Sequence, residues 1–183
     1  NKKITRLMRQ PWSLWLLIDG KDNGKYTRIV KELSLSSRSP SFEPHLTLFG
    51  RINANPEPLF EFYKNMANDQ KRISTKIKKI KFGNSHWKSF YIDIEKNTSL
   101  EALQKQMIAP INHLRDYLFD PHLSLAYGDA DEMRYIAKEI HLERFISFNS
   151  VAIAFVPDNV DEWKIINKFE FLDFEQVVNN FED

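Results

Sequence analysis

Two short phrases constrain this chain more than any bulk property does. PHLTLFG spans Pro44 to Gly50, and PHLSLAYG spans Pro121 to Gly128. His45 and His122 stand 77 residues apart, and each is followed two positions later by a hydroxyl side chain, Thr47 or Ser124. Both phrases read as strands, where residues i and i+2 point to one face. His45 and Thr47 therefore share a face and leave Leu46 and Leu48 for a packed core. His122 and Ser124 do the same against Leu123 and Leu125.

The order of elements around the phrases repeats too. The apolar run Trp12–Asp19 reads as a buried strand. Tyr26, Ile29, Val30 and Leu33 stand at helical spacing within Lys25–Ser34. After a Ser-rich loop comes the strand with the first phrase. Asn55–Asp69 reads as a helix with Pro in its first turn, and Arg72–Gly83 as an alternating strand with one wet face. Then the series restarts. Ser89–Ile94 is a strand, and Ser99–Phe119 a long helix with Ser99 as N-cap and a kink at Pro110. The second phrase follows. Asp129–Glu143 is a helix with an acidic first turn, and Phe145–Asp158 and Glu162–Phe171 form a closing hairpin. A shift of 77 residues lays Leu14 on Tyr91 and Ile73 on Ser150. The expectation is one α+β domain over 1–183 made of two pseudo-symmetric lobes. Lobe one covers about 12–83 and lobe two about 89–171, with antiparallel sheets flanked by helices around a central groove.

Composition narrows the chemistry. Of 183 residues, 42% are hydrophobic and 13% aromatic, enough for a sizeable core. A formal net charge of +1 argues against a bulk polyanion binder and leaves room for a local phosphate patch. The chain has no Cys, which excludes disulfides, thiolate nucleophiles and Cys-ligated zinc. No apolar run approaches the roughly 20 residues of a membrane span. The basic, then apolar, start lacks a small-residue cleavage site and reads as a strand, not a signal peptide. The first residue is Asn, not Met, so a removed targeting segment stays open. A cytoplasmic monomer without cofactor is expected.

If the two phrases meet, two imidazoles and two hydroxyls converge. Imidazole titrates near neutrality, with an unperturbed pKa of about 6.5. One neutral ring can take a proton from water while an opposing protonated ring gives one to a leaving oxygen. The hydroxyls can donate to the non-bridging oxygens of a phosphate. Displacement at phosphorus needs acid and base on opposite sides, and either histidine suits either role. There is no HExxH and no carboxylate cluster beside either histidine, so no metal site is expected. A lone strand histidine is more often a surface or satisfied core residue; the matched pair is what points to catalysis. His113 and His141 read as solvated residues on helices. His86, in the central loop, is a weak candidate for substrate contact.

FEPHLTL and DPHLSLAYG resemble the paired HxT/S signatures of the two-histidine (2H) phosphoesterase superfamily, and within it the cyclic phosphodiesterases of plants and fungi. The resemblance runs from about Ser13 to about Phe169. It implies the two-lobed fold and metal-free opening of a cyclic phosphate on a ribose. By it, His45 and His122 are acid and base, Thr47 and Ser124 bind phosphate, and Tyr127 and Trp15 line the substrate site. Trp87, between the lobes, is a candidate for stacking on a base. Tyr127 has the wrong parity to share a face with His122, so it requires β-structure to end or bulge near Ala126. Plant members carry Cys pairs that this chain lacks.

The expected substrate is a nucleoside 2′,3′-cyclic phosphate or ADP-ribose 1″,2″-cyclic phosphate. Alternatives are RNA ends, 2′-5′ oligoadenylates, or a non-catalytic RNA-binding module using the lysine-rich strand Lys71–Lys81.

Overall fold

The computed structural model describes residues 11–128 and 130–172. The basic start, residues 1–10, and Asp129 at the head of the expected acidic turn lie outside them.

The backbone is a seven-stranded antiparallel sheet flanked by helices. Its strands are β1 (Trp12–Ile18), β2 (His45–Ile52), β3 (Ile73–Ser85), β4 (Lys88–Ile94), β5 (His122–Ala126), β6 (Phe145–Phe155) and β7 (Lys164–Glu170). Their order is β1-β2-β5-β4-β3-β6-β7, and β1 also pairs with β6. Six strands thus close a circuit, with β7 continuing from β6. The two halves of the sequence exchange strands to do so. β3 pairs with β4, and β6 pairs with β1, so each half's third strand also lies beside the other half's first.

β1 is buried along its whole length. Its even residues Trp12, Leu14, Leu16 and Ile18 enter the main core. Its odd residues Trp15 and Leu17 pack with Ala152, Ala154 and Val156 in a second cluster on the other face. That alternation sends Trp15 to the side where the histidines lie.

Among the described residues four α-helices flank the strands: α1 (Gly20–Ser37), α2 (Phe60–Asp69), α3 (Thr98–Ile108) and α4 (Ala130–Ala137). Helix α1 starts five residues before the apolar spacing suggests. The Asp19 carboxylate caps it by accepting from the Lys21 N–H, which overrides the turn-like Asp-Gly and Asn-Gly pairs. Its buried side chains are Tyr26, Ile29, Val30 and Leu33, as the spacing requires.

The second long helix differs from expectation at both ends. Its cap is Asn97, not Ser99, because the Asn97 side chain reaches the Leu100 N–H at 2.9 Å. It stops at Ile108 instead of kinking through Pro110. Proline removes a helical donor and disfavours α geometry in the residue before it. The chain continues as a short 3-10 turn at Asn112–Leu114. Helix α4 also ends early, at Ala137, well short of Glu143.

Strands β3 and β4 join through a two-residue turn, His86–Trp87, with Ser85 opposite Lys88. The join is a tight hairpin rather than a loop. Gly83 makes it possible: a Cβ there would lie 2.1 Å from the Lys88 carbonyl oxygen.

Candidate active site

The signature strands are neighbours in the ladder. β2 and β5 meet at Leu46 opposite Leu123. Counting outward from that pair in antiparallel sense puts His45 across from Ser124 and Thr47 across from His122. Diagonal neighbours on one face of such a pair sit about 7–8 Å apart, which places the two imidazoles within reach of one phosphate. His45, Thr47, His122 and Ser124 all line a single cleft of about 160 Å³.

Each imidazole is aimed by the backbone two residues before it. His45 Nδ1 lies 2.6 Å from the Glu43 carbonyl oxygen, and His122 Nδ1 lies 2.7 Å from that of Asp120. A carbonyl only accepts, so Nδ1–H donates in both cases, and Nε2 is the basic nitrogen of the neutral ring. The two Pro residues preceding the histidines shape both bends, since Pro44 and Pro121 favour extended backbone at Glu43 and Asp120.

The two rings have unlike surroundings. Leu17 stands across the ladder from His45, and the Trp15 indole lies flat on its imidazole, centroids 3.6 Å apart and planes 12° apart. His45 is 5% exposed. Burial, with His122 as a minor repulsive neighbour, pushes its pKa down to about 3, although the Glu43 carbonyl works the other way. At the equivalent place beside His122 stands Asp93, and Tyr91 meets its ring edge-on at 5.4 Å. His122 is only half-buried. Burial and the Lys88 ammonium lower its pKa, while the Asp120 carbonyl and the Asp120 and Asp93 carboxylates oppose them. Lys88 pairs with Asp120 and lies over the Tyr91 ring.

The aromatic candidates gather above the histidines. Tyr127 lies just past β5, which ends at Ala126, so the parity conflict disappears. Burial pushes its pKa up to about 12, with the Ser124 side chain acting the other way. Trp87, at the hairpin tip, is 37% exposed; it stacks on Trp163 at 5.9 Å and meets Tyr127 edge-on at 5.8 Å. Trp15, Trp87 and Tyr127 all line the cleft.

Sequence reasoning missed several cleft residues. Trp163 sits in the connection of the closing hairpin, just before β7, and touches Trp15, Trp87 and Tyr127. Tyr117 bonds the Thr47 carbonyl at 3.4 Å. Arg51 lies beyond the first phrase with a left-handed backbone, φ 54°. Its N–H donates to Ser13 Oγ, and its guanidinium donates to the Val156 carbonyl and pairs with Asp158 at 2.6 Å. The one signal in the sequence was Gly50-Arg51 at the end of a strand.

The other histidines lie outside the cleft lining. His86 packs edge-on against Trp87 at 4.7 Å. His113 lies in the 3-10 turn and His141 in the loop after α4, so neither is on an α-helix; both are exposed. A larger hollow of about 610 Å³ opens where α4 crosses β3, with Phe82, Arg134 and Tyr135 in its wall; among the described residues no histidine or carboxylate lines it. Among the described residues no group of three His, Asp or Glu could hold a metal ion, and no helix is long and apolar enough to cross a membrane.

The chain aligns over residues 11–182 with the family of cyclic phosphodiesterase-like proteins. No curated protein sequence matches it. Its fold is similar to TT0787 of Thermus thermophilus, with TM-score 0.57 and 12% identity over 88% of this chain and 97% of that one. It is also similar to E. coli LigT complexed with 3′-AMP, with TM-score 0.58 and 10% identity over 90% and 99%. For LigT complexed with phosphate the values are 0.58 and 9% over 91% and 99%. With the paired histidine signatures on adjacent strands and the family match over nearly its whole length, this chain belongs to the cyclic phosphodiesterase-like protein family.

Proposed function

We propose that the cleft opens a ribose cyclic phosphate to a phosphomonoester, with His45 as general base and His122 as general acid. The observation that carries this is the matched pair of tethered imidazoles sharing one cleft with Thr47 and Ser124. The hydroxyls of Thr47 and Ser124 donate to the non-bridging phosphate oxygens, where charge gathers in the transition state. His45 Nε2 takes a proton from water as the water oxygen attacks phosphorus. The bond from phosphorus to a ribose oxygen breaks on the far side, and His122 Nε2–H protonates that oxygen. The ring surroundings support this division. His45, against Trp15 and Leu17, stays neutral. Burial and Lys88 lower the His122 pKa as well, but Asp120 and Asp93 beside it oppose that lowering, as nothing but the Glu43 carbonyl does at His45.

Nucleoside 2′,3′-cyclic phosphates and ADP-ribose 1″,2″-cyclic phosphate are the substrates we favour. Trp87 and Trp163 offer stacked indoles to a base. LigT has been crystallised with 3′-AMP, phosphate, ATP and NADP+; on a shared fold this supports nucleotide ligands by analogy. A second reading, RNA ends carrying a cyclic phosphate, draws on the exposed Lys76, Lys78 and Lys79, whose strand leads to the hairpin tip bearing Trp87.

The test is a panel of cyclic phosphates and short RNAs, with product position read by phosphorus NMR. His45→Ala and His122→Ala should each lower turnover by at least ~10²-fold, and EDTA should leave the rate unchanged. Near-wild-type turnover in either variant removes that histidine from the mechanism.

A further inference from the structure

Resting on the proposed function, we infer that a second phosphate of the substrate, on the 5′ side of the ribose, binds Arg51 and Arg115 in a hollow next to the catalytic cleft. The cleft itself, about 160 Å³, is smaller than the roughly 300–1,000 Å³ of most small-molecule sites. A second hollow of about 300 Å³ adjoins it, and Arg51 lines both. Arg115 and Asn53 add to its polar wall, and among the described residues none that lines it is a carboxylate.

The two arginines are held in place. Arg115 Nη1 donates to the Gly50 carbonyl at 2.8 Å and to that of Arg51 at 3.4 Å, and its Nε to the Asp116 carbonyl. Arg51 donates from Nη1 to the Val156 carbonyl and from Nη2 to Asp158. A guanidinium carries five N–H donors, so these bonds fix each group and leave donors over. The Asp158 carboxylate is 91% exposed, and water screens such a pair strongly. Arg51 also lies 5.5 Å from the Trp87 ring centroid, so it stands between the stacking platform and the hollow. Its left-handed backbone is fixed from both sides, by Ser13 Oγ at its N–H and by Arg115 at its carbonyl. Strain of that kind in a non-glycine residue persists where the surroundings hold it, and it clusters at ligand sites. A nucleoside cyclic phosphate with no 5′-phosphate would fill only the first cavity.

Turnover of adenosine 2′,3′-cyclic phosphate is compared with that of the same molecule bearing a 5′-phosphate, and with a dinucleotide ending in a cyclic phosphate. Wild-type kcat/KM should favour at least one of the two larger substrates by about tenfold or more, as expected for charge-assisted contacts to phosphate. Preference for the mononucleotide 5′-phosphate assigns the hollow to a terminal phosphate; preference for the dinucleotide alone assigns it to an internucleotide one. In Arg115→Gln the preference should fall to about one, and in Arg115→Lys it should be partly kept. The ratio is taken within one preparation, so partial misfolding cancels. Equal kcat/KM for all three substrates in the wild type, or an unchanged ratio in Arg115→Gln, overturns the assignment. A separate measurement needs no turnover: calorimetric binding of adenosine 3′-phosphate and adenosine 3′,5′-bisphosphate. The bisphosphate should bind wild type at least about tenfold tighter than the monophosphate, whereas Arg115→Gln should bind the two equally. Equal binding by wild type overturns the second site. Failure of every cyclic substrate alongside tighter bisphosphate binding rejects the proposed reaction and keeps the site.

Discussion

The Trp15 indole lies flat on the His45 imidazole, centroids 3.6 Å apart and planes 12° apart. The imidazole is therefore held on two sides, by the ring on its face and by the Glu43 carbonyl at its Nδ1 edge. It also loses water on that face, and burial is the main cause of its low pKa. Trp15→Phe should keep most of this arrangement. Trp15→Ala should destabilise the fold by about 3–5 kcal/mol and admit water to the ring. The acid limb of the pH–rate profile should then move up toward the ordinary histidine value of about 6.5. Thermal denaturation and the kcat/KM profile check the two effects separately.

On the proposed mechanism the basic limb reports His122, whose neighbours act on it in opposite directions. Lys88 lowers the His122 pKa, while Asp93 raises it. Lys88→Gln should move the basic limb of kcat/KM to higher pH, and Asp93→Asn should move it lower. Because both histidines titrate below their ordinary range, the wild-type maximum should lie on the acid side of about pH 6.5. Shifts of the same sign in the two variants contradict the assignment.

Gly83 fixes the hairpin tip that carries Trp87. A Cβ there would stand 2.1 Å from a backbone oxygen that cannot swing aside. Gly83→Ala should therefore displace the tip and raise KM for nucleotide substrates several-fold. It should change kcat little for a small cyclic phosphate without a base. Equal loss on both substrates would mean that the tip supports the fold and not the ligand.

His45, proposed above as the base, also makes stability depend on pH. The folded pKa of His45 is depressed to about 3, against about 6.5 in an unfolded chain. Between these values the unfolded chain binds the extra proton, so stability is full above about pH 6.5 and falls as the solution becomes more acidic. Urea titrations at pH 7 and pH 4.5 should show the loss, and His45→Gln should reduce it.

Much of this site was legible in the sequence because strand parity is a strong rule. His45 with Thr47, and His122 with Ser124, follow from a period of two, and the repeated element order marked the two phrases as equivalent. The stop of β5 at Ala126, which turns Tyr127 inward, followed from the same parity. What was not legible depends on contacts far along the chain. Arg51 reaches the cleft through a left-handed backbone held by Ser13 and Arg115, 38 and 64 residues away. Trp163, next to the first residue of β7, arrives through the pairing of β7 with β6 and of β6 with β1. The pairing of β2 with β5 as neighbours rests on the exchange of β3 and β6 between halves, which no local pattern encodes. The ends of α1 and α3 were decided by side-chain caps at Asp19 and Asn97, and by Pro110, against the apolar spacing.

The central claim is that one phosphate lies between two imidazoles. Nitrogen-15 NMR of the histidine rings, followed while adenosine 3′-phosphate is added, tests it most directly. The Nε2 signals of His45 and His122 should both move and saturate with a single dissociation constant, while both Nδ1 positions remain protonated. Movement of only one ring, or two rings saturating at different concentrations, contradicts it.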